Sequence, residues 1–201
     1  MPSPSSKATE GTSHAVRKSI IDACLSMNSS GLSTGTSGNV SSRWDGGMLI
    51  TPSGVPYLEL TPKMIVEVRE DGTFDGVLRP SSEWRMHRDI YQARPEAGAV
   101  VHSHSPHATA IAVHGETIPA FHYMVAVAGG TTIRCADYAT FGTQALSDTM
   151  LIALADRRAC LLAHHGQIAF GRDVPSAFAL AVEVETLARQ YTLARQLGPP
   201  P

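Results

Sequence analysis

Two histidine clusters carry the strongest chemical signal in the sequence. Val100-Val101-His102-Ser103-His104 reads as the end of a buried strand. Alternate side chains of a strand share a face, so His102 and His104 point the same way at a separation suited to one metal ion. A lone histidine there is ordinarily a core side chain satisfied by hydrogen bonds; a pair at this spacing makes a metal site the competing reading. His164-His165-Gly166 follows a second apolar run, Cys160-Leu161-Leu162-Ala163. Adjacent strand residues face opposite ways, so one of His164 and His165 is expected to reach the ion. Three imidazoles from two strand ends leave coordination positions open, as in catalytic rather than structural zinc sites. Imidazole suits Zn, Co, Ni or Fe, and abundance favours zinc. His107 reads as a fourth ligand or, preferably, a structural residue. His14, His87 and His114 read as surface or packing residues.

Three segments could hold an anion. Thr34-Gly-Thr-Ser-Gly-Asn-Val40 and Thr51-Pro-Ser-Gly54 are glycine-punctuated loops with hydroxyls, and Ser81-Ser82 opens a helix. Each offers N–H groups and hydroxyls to a phosphate, although singly such segments are ordinary turns. No nucleotide-binding glycine motif stands in a strand–loop–helix context. Glu83, directly after the serines, is either a carboxylate favoured by the helix dipole or a base or metal ligand beside a phosphate.

The chain around these residues has 201 residues, 43% hydrophobic and 17% charged, enough for one packed domain and too apolar for disorder. With 16 basic and 18 acidic residues the net charge is −2, so no broad field exists to grip nucleic acid or an anionic membrane. No run reaches the about 20 apolar residues of a membrane span, and the first fourteen residues hold no secretory apolar segment. Cys24, Cys135 and Cys160 are odd in number and widely spaced, and read as reduced thiols in a cytoplasmic protein.

Residues 1–13, rich in Ser, Pro, Thr and Gly, read as a flexible tail, 14–197 as the domain, and 198–201 as a frayed end. Apolar spacing predicts a helix over about 14–30. A hairpin joins Asn39–Trp44 to Met48–Thr51 across Asp45-Gly46-Gly47, and a second joins Ile65–Arg69 to Thr73–Val77. Further helices are expected over Ser81–Arg94, with Ser81 or Ser82 as N-cap, Pro106–Val113, Tyr123–Ala128, Gln144–Asp156 and about 174–196. Strands are expected at Ala99–His104, Ala159–Ala163 and Gly166–Phe170. Helices interleaved with hairpin-linked strands predict an α/β/α sandwich, its central mixed and largely antiparallel sheet covered by helices on both sides.

Several segments in register resemble the class II aldolase/adducin family. They are Gly35-Thr-Ser-Gly-Asn-Val-Ser41, Met48-Leu-Ile-Thr-Pro-Ser-Gly-Val-Pro-Tyr57, Pro80-Ser-Ser-Glu-Trp-Arg85, Ala99-Val-Val-His-Ser-His104, His122-Tyr-Met124, Tyr138-Ala-Thr-Phe-Gly-Thr143, His164-His-Gly166 and Glu183-Val-Glu185. They span about residues 17–195. The resemblance implies one Zn²⁺ held by His102, His104, His165 and, at rest, Glu83. It implies substrate phosphate bound by Thr36, Asn39, Ser53, Gly54, Ser81 and Ser82, with Tyr123 and Phe141 lining the site across a subunit boundary of a C4-like homotetramer. The implied reaction is reversible cleavage of L-fuculose 1-phosphate, or a similar ketose 1-phosphate, to dihydroxyacetone phosphate and L-lactaldehyde. The metal stabilises an enediolate, Glu83 acts as base after substrate displaces it, and a tyrosine acts as acid. Similar aldolases carry a further tyrosine in a tail beyond the long helix that closes over the site; this sequence ends at Pro201 without an equivalent, so either Tyr123 carries the acid role alone or the substrate is a different one that needs no lid. The rival readings are an aldolase for 5-deoxyribulose 1-phosphate, a sugar-phosphate 4-epimerase, a more distant methylthioribulose-phosphate dehydratase, and a non-catalytic adducin-like interaction module. Epimerases of the family typically have Asp where this sequence has Glu83.

Overall fold

The structure is a computed structural model that describes residues 4–198, with side chains from residue 12 onward. Its elements are α1 (Pro4–Ser29), β1 (Asn39–Trp44), β2 (Gly47–Ile50), β3 (Val66–Arg69), α2 (Trp84–Ala93), β4 (Ala99–Ser103), α3 (Pro106–Val113), β5 (Cys135–Ala136), α4 (Gln144–Ala153), β6 (Ala159–Leu162), β7 (Gly166–Gly171) and α5 (Val174–Leu197). Short 3-10 helices lie at Tyr57–Glu59, Pro62–Met64 and Tyr123–Ala128. Among the described residues the strands form one sheet ordered β3-β2-β1-β4-β7-β6-β5. Every neighbouring pair is antiparallel except β5 with β6. The expected α/β class and mixed, mainly antiparallel sheet are what form.

Strand alternation divides the apolar residues between two cores. Val40, Leu49, Val101, Leu161 and Ala169 face α1, α3 and α5. Met48, Ile50, Val100, Cys160, Leu162 and Phe170 face α2 and α4. Each fully buried large side chain contributes about 1.5–3 kcal/mol, and burial on both faces pins the register, because a one-residue slip would exchange the two cores. The central pair β1–β4 places Asn39 opposite His102, both on the α2 face. α5 starts at a capping box in which Asp173 accepts from Ser176 N, with proline in its first turn. No helix among the described residues is long and apolar enough to cross a membrane.

Several local expectations are corrected. α1 begins at Pro4, inside the segment read as a tail; proline is tolerated there because the first helical N–H groups need no intrahelical acceptor. The second hairpin does not form. Only an isolated Val68–Phe74 bridge continues beyond the turn, the chain then turns at Gly76 with φ +107, and Val77 is exposed. α2 begins at Trp84 rather than Ser81, because Glu83 takes φ −100 and ψ 14 with its N–H on Ser81 Oγ. α4 stops at Ala153, three residues short of Asp156, which itself has φ 58. Cys135–Ala136 was not expected as a strand; it is too short for periodicity to register. The frayed end expected at 198–201 lies, from 199 on, outside the described residues.

Candidate metal centre and anion cradle

β4 is the middle strand of the sheet, and its end delivers two of the histidines. His102 is fully buried, and its Nδ1–H donates to Gln167 O on β7 at 2.8 Å. That bond leaves Nε2 facing Glu83 and His104. His104 lies one residue beyond the strand. His165 sits in the turn between β6 and β7, entered through His164 at φ 57, a conformation uncommon outside glycine. The pair therefore separates through a turn rather than through strand alternation: His165 joins the cluster and His164 does not. Gly166 lets this turn close on β4, since a Cβ there would stand 2.4 Å from Ser103 O.

The three rings form a near-equilateral triangle, with centroids 4.8–4.9 Å apart. Glu83 closes it. Its Oε2 lies 3.2 Å from His102 Nε2 and its Oε1 lies 3.0 Å from His165 Nε2. One ligand atom from each of Glu83, His102, His104 and His165 falls within 4.8 Å of the others. Burial alone would push the Glu83 carboxyl up, but the adjacent imidazoles of His102 and His165 hold it well below the usual carboxylate range. Burial opposes charge on His102 as well, and Glu83 with Gln167 O overcomes it, raising that imidazole. His104 is pushed down to about 4 by burial and by the other two rings.

These atoms fit a divalent cation. Glu83 Oε1 is buried without a hydrogen bond although His165 Nε2 stands 3.0 Å away, since proximity there lacks the alignment of a donor. His102 Nε2 and His104 Nε2 face each other at 3.0 Å, and only one proton or one cation can serve both. A cation could replace that proton and serve the carboxylate too. Three imidazole nitrogens and one carboxylate are donor types that zinc takes.

A cavity of about 430 Å³ opens beside this cluster. Thr36, Asn39, Ser53, Gly54, Ser81 and Ser82 all line it, together with Glu83, His104 and His165. Ser53 N–H donates to Arg79 O and Ser81 N–H to Thr51 O, which zips two of the loops side by side. Phe141, expected from across a subunit boundary, lines the cavity of its own chain. Tyr123 does not line it and is 81% exposed. His107 stays outside the cluster; its backbone N–H donates to Glu185, which holds the start of α3.

Tyr138 and His164, edge to face at a centroid distance of 5.7 Å, also line the cavity; the sequence offers His164 only as the alternative to His165 at the metal, and Tyr138 only within a family-like segment. His87, which the sequence offers as a surface or packing residue, is fully buried in a polar chain that ends on Glu83. Its spacing four residues after Glu83, on one helix face, was the available signal.

Comparison with known proteins adds four findings. The family model described as Class II Aldolase and Adducin N-terminal domain matches residues 18–192. The chain is 52% identical over 190 residues to a 5-methylthioribulose-1-phosphate/5-deoxyribulose-1-phosphate aldolase of Rhodospirillum rubrum, covering 94% of this chain and 86% of that one. It is also 52% identical over 174 residues to an L-fuculose phosphate aldolase of Escherichia coli, covering 87% and 81%. A solved L-fuculose 1-phosphate aldolase superposes with a TM-score of 0.89 at 39% identity, covering 93% of this chain and 89% of that one.

Proposed function

The chain belongs to the class II aldolase and adducin N-terminal domain family, and from that premise we propose that it is a metal-dependent aldehyde-lyase cleaving a ketose 1-phosphate to dihydroxyacetone phosphate and a small aldehyde. The observation that carries this reading is the Glu83–His102–His104–His165 cluster beside one cavity, with Glu83, His104 and His165 lining that cavity together with three hydroxyl-rich loops. A chain built only for protein interaction has no use for three converging imidazoles and a carboxylate oxygen lacking a donor.

A bound Zn²⁺ would supply Lewis-acid stabilisation of the negative charge that develops on the substrate oxygens. Thr36, Asn39, Ser53, Gly54, Ser81 and Ser82 hold the phosphate through hydroxyls, amides and N–H groups, with no lysine or arginine lining the cavity. Glu83 Oε2 is tied to Asn39, so Oε1 is the oxygen that exchanges a proton with the reacting carbon. In cleavage, the hydroxyl of the aldehyde half loses its proton to a tyrosine in its phenolate form as the carbon–carbon bond breaks. The carbon that keeps the electron pair then takes a proton from Glu83 in its carboxylic-acid form, which releases dihydroxyacetone phosphate, and solvent resets the pair by taking the tyrosine proton and returning one to Glu83. Condensation reverses both transfers. The tyrosine is Tyr123 of a neighbouring copy in a homotetramer, because Tyr123 lies outside its own cavity. Phe141 packs against the aldehyde substituent. Cys24 and Cys160 are buried free thiols, the form a reducing compartment maintains, and the proposed site of action is the cytoplasm.

L-Fuculose 1-phosphate is the substrate of the main reading, and L-lactaldehyde its aldehyde product. 5-Deoxyribulose 1-phosphate is the second, favoured by the equal 52% identity to relatives named for each. The test is release of dihydroxyacetone phosphate from both sugars, with and without a chelator, and with L-ribulose 5-phosphate alongside. Chelator-sensitive release supports the aldolase, and the faster ketose names its class. An epimerised pentose phosphate without release would establish the epimerase, and a protein that takes up no metal would establish the interaction module.

A further inference from the structure

Two periodicities meet behind the metal cluster. Glu83, His87 and Tyr91 stand at i, i+4 and i+8 along the start of α2, and Asn39 and Ser41 stand at i and i+2 on β1. Four helical residues rise about 6 Å and two strand residues about 6.6 Å, so the two rows interdigitate. The result is one continuous buried chain. Tyr91 OH lies 2.7 Å from Ser41 Oγ, and Ser41 Oγ lies 2.7 Å from His87 Nδ1. His87 Nε2 lies 2.5 Å from Asn39 Oδ1, and Asn39 Nδ2 donates to Glu83 Oε2 at 3.0 Å.

We infer that His87 is a positioning residue whose Nε2–H tautomer fixes which end of the Asn39 amide faces Glu83. An ionised carboxylate only accepts, so Asn39 must present its NH₂ group to Glu83. Its carbonyl then faces His87 and requires a donor there, which places the proton on Nε2. Nδ1 must accept, so Ser41 donates to it and takes the hydroxyl proton of Tyr91 in turn. The opposite tautomer would reverse the amide and set a carbonyl oxygen against a buried carboxylate. Burial of the ring pushes His87 down to about 3, which keeps it neutral and able to play both parts. The outcome is that one oxygen of Glu83 is tethered and the other is left to the metal and the reacting carbon. The inference therefore rests on Glu83 as ligand and base.

The test compares His87→Leu, His87→Gln and Tyr91→Phe with wild type. Zinc affinity is read by competition with a chromophoric chelator, kcat and KM on the faster ketose phosphate, and the His87 tautomer by ¹⁵N NMR of metal-free wild type. Glutamine can donate to Asn39 and accept from Ser41 at once, whereas leucine fills the space without either. Leucine is expected to cost 10–100-fold in zinc affinity, with kcat falling more than KM rises. Glutamine is expected to recover most of both, and Tyr91→Phe to cost less than about threefold, since Ser41 still donates to Nδ1. Wild-type behaviour of His87→Leu, or equal loss in a folded His87→Gln, overturns the inference, as does a proton found on Nδ1. A wild type that takes up no zinc refutes the metal reading instead, and the tautomer measurement then decides the inference alone.

Discussion

Replacing Glu83 by glutamine separates chemistry from folding. Glu83 is 7% exposed, and its two oxygens have different surroundings. The amide oxygen of glutamine can keep the 3.0 Å bond from Asn39, and in the metal-free protein its NH₂ group falls at the Oε1 position, 3.0 Å from His165 Nε2, where it can donate. The variant is therefore sterically and polar-satisfied, unlike an alanine that would leave Asn39 unpartnered at a cost of about 1–3 kcal/mol. It lacks any group able to exchange a proton with carbon. General base catalysis contributes about 10²–10⁴-fold, equivalent to roughly 3–5 kcal/mol of barrier at about 1.4 kcal/mol per decade. Three imidazoles remain to hold the metal, so the protein should still carry it after dialysis. The assay is coupled release of dihydroxyacetone phosphate, normalised to metal measured by atomic emission on the same sample. Metal-loaded Glu83→Gln turning over at the wild-type rate would refute the base assignment. Loss of both metal and fold would refute the claim that the amide satisfies the site.

Other expected outcomes follow from the same geometry. His87 is held down to about 3, so between about pH 6.5 and 3 the unfolded chain binds a proton at this site that the folded chain refuses, and stability falls as pH falls. Chemical denaturation of metal-free wild type against His87→Gln should show a slope difference of roughly 1.4 kcal/mol per pH unit in that window, and parallel curves would show His87 to be charged in the fold. His104→Ala or His165→Ala should abolish chelator-sensitive cleavage and stoichiometric metal, and a fully active variant of either would remove that residue from the ligand set. Gly38 has φ +114, and a Cβ there would stand 2.8 Å from His102 O, so Gly38→Ala should lose about 1–3 kcal/mol in urea titration and weaken metal binding with it. Asp173→Ala removes the α5 capping box far from the cavity and should cost about 1 kcal/mol with kcat unchanged.

The divide between sequence and tertiary structure follows the range of the physical signal. Local patterns were legible because the periods of strand and helix are short. The His102-Ser103-His104 alternation, the Asp45-Gly46-Gly47 hairpin, the Pro106 helix start and the glycine stop after Ala128 each lie within one window of chain. The order of family-like segments likewise named the anion loops and the ligand candidates. Other features were decided only by packing. Thr73–Val77 has the composition of a strand but finds no neighbour beyond one bridge. Glu83 leaves the helix it was expected to occupy because Ser81 holds its N–H outside helical geometry. His87 looks like any helical histidine until β1 is laid against α2, when Asn39 and Ser41 fill the spaces on either side of it. Residues 39, 83, 102 and 165 share a site because β4 is inserted between β1 and β7, a strand order that no periodicity encodes. Sequence alone determined which side chains could bind a metal and an anion. Tertiary structure decided which of them meet and which polar partners surround each one, because hydrogen-bond geometry and burial are properties of neighbours distant along the chain.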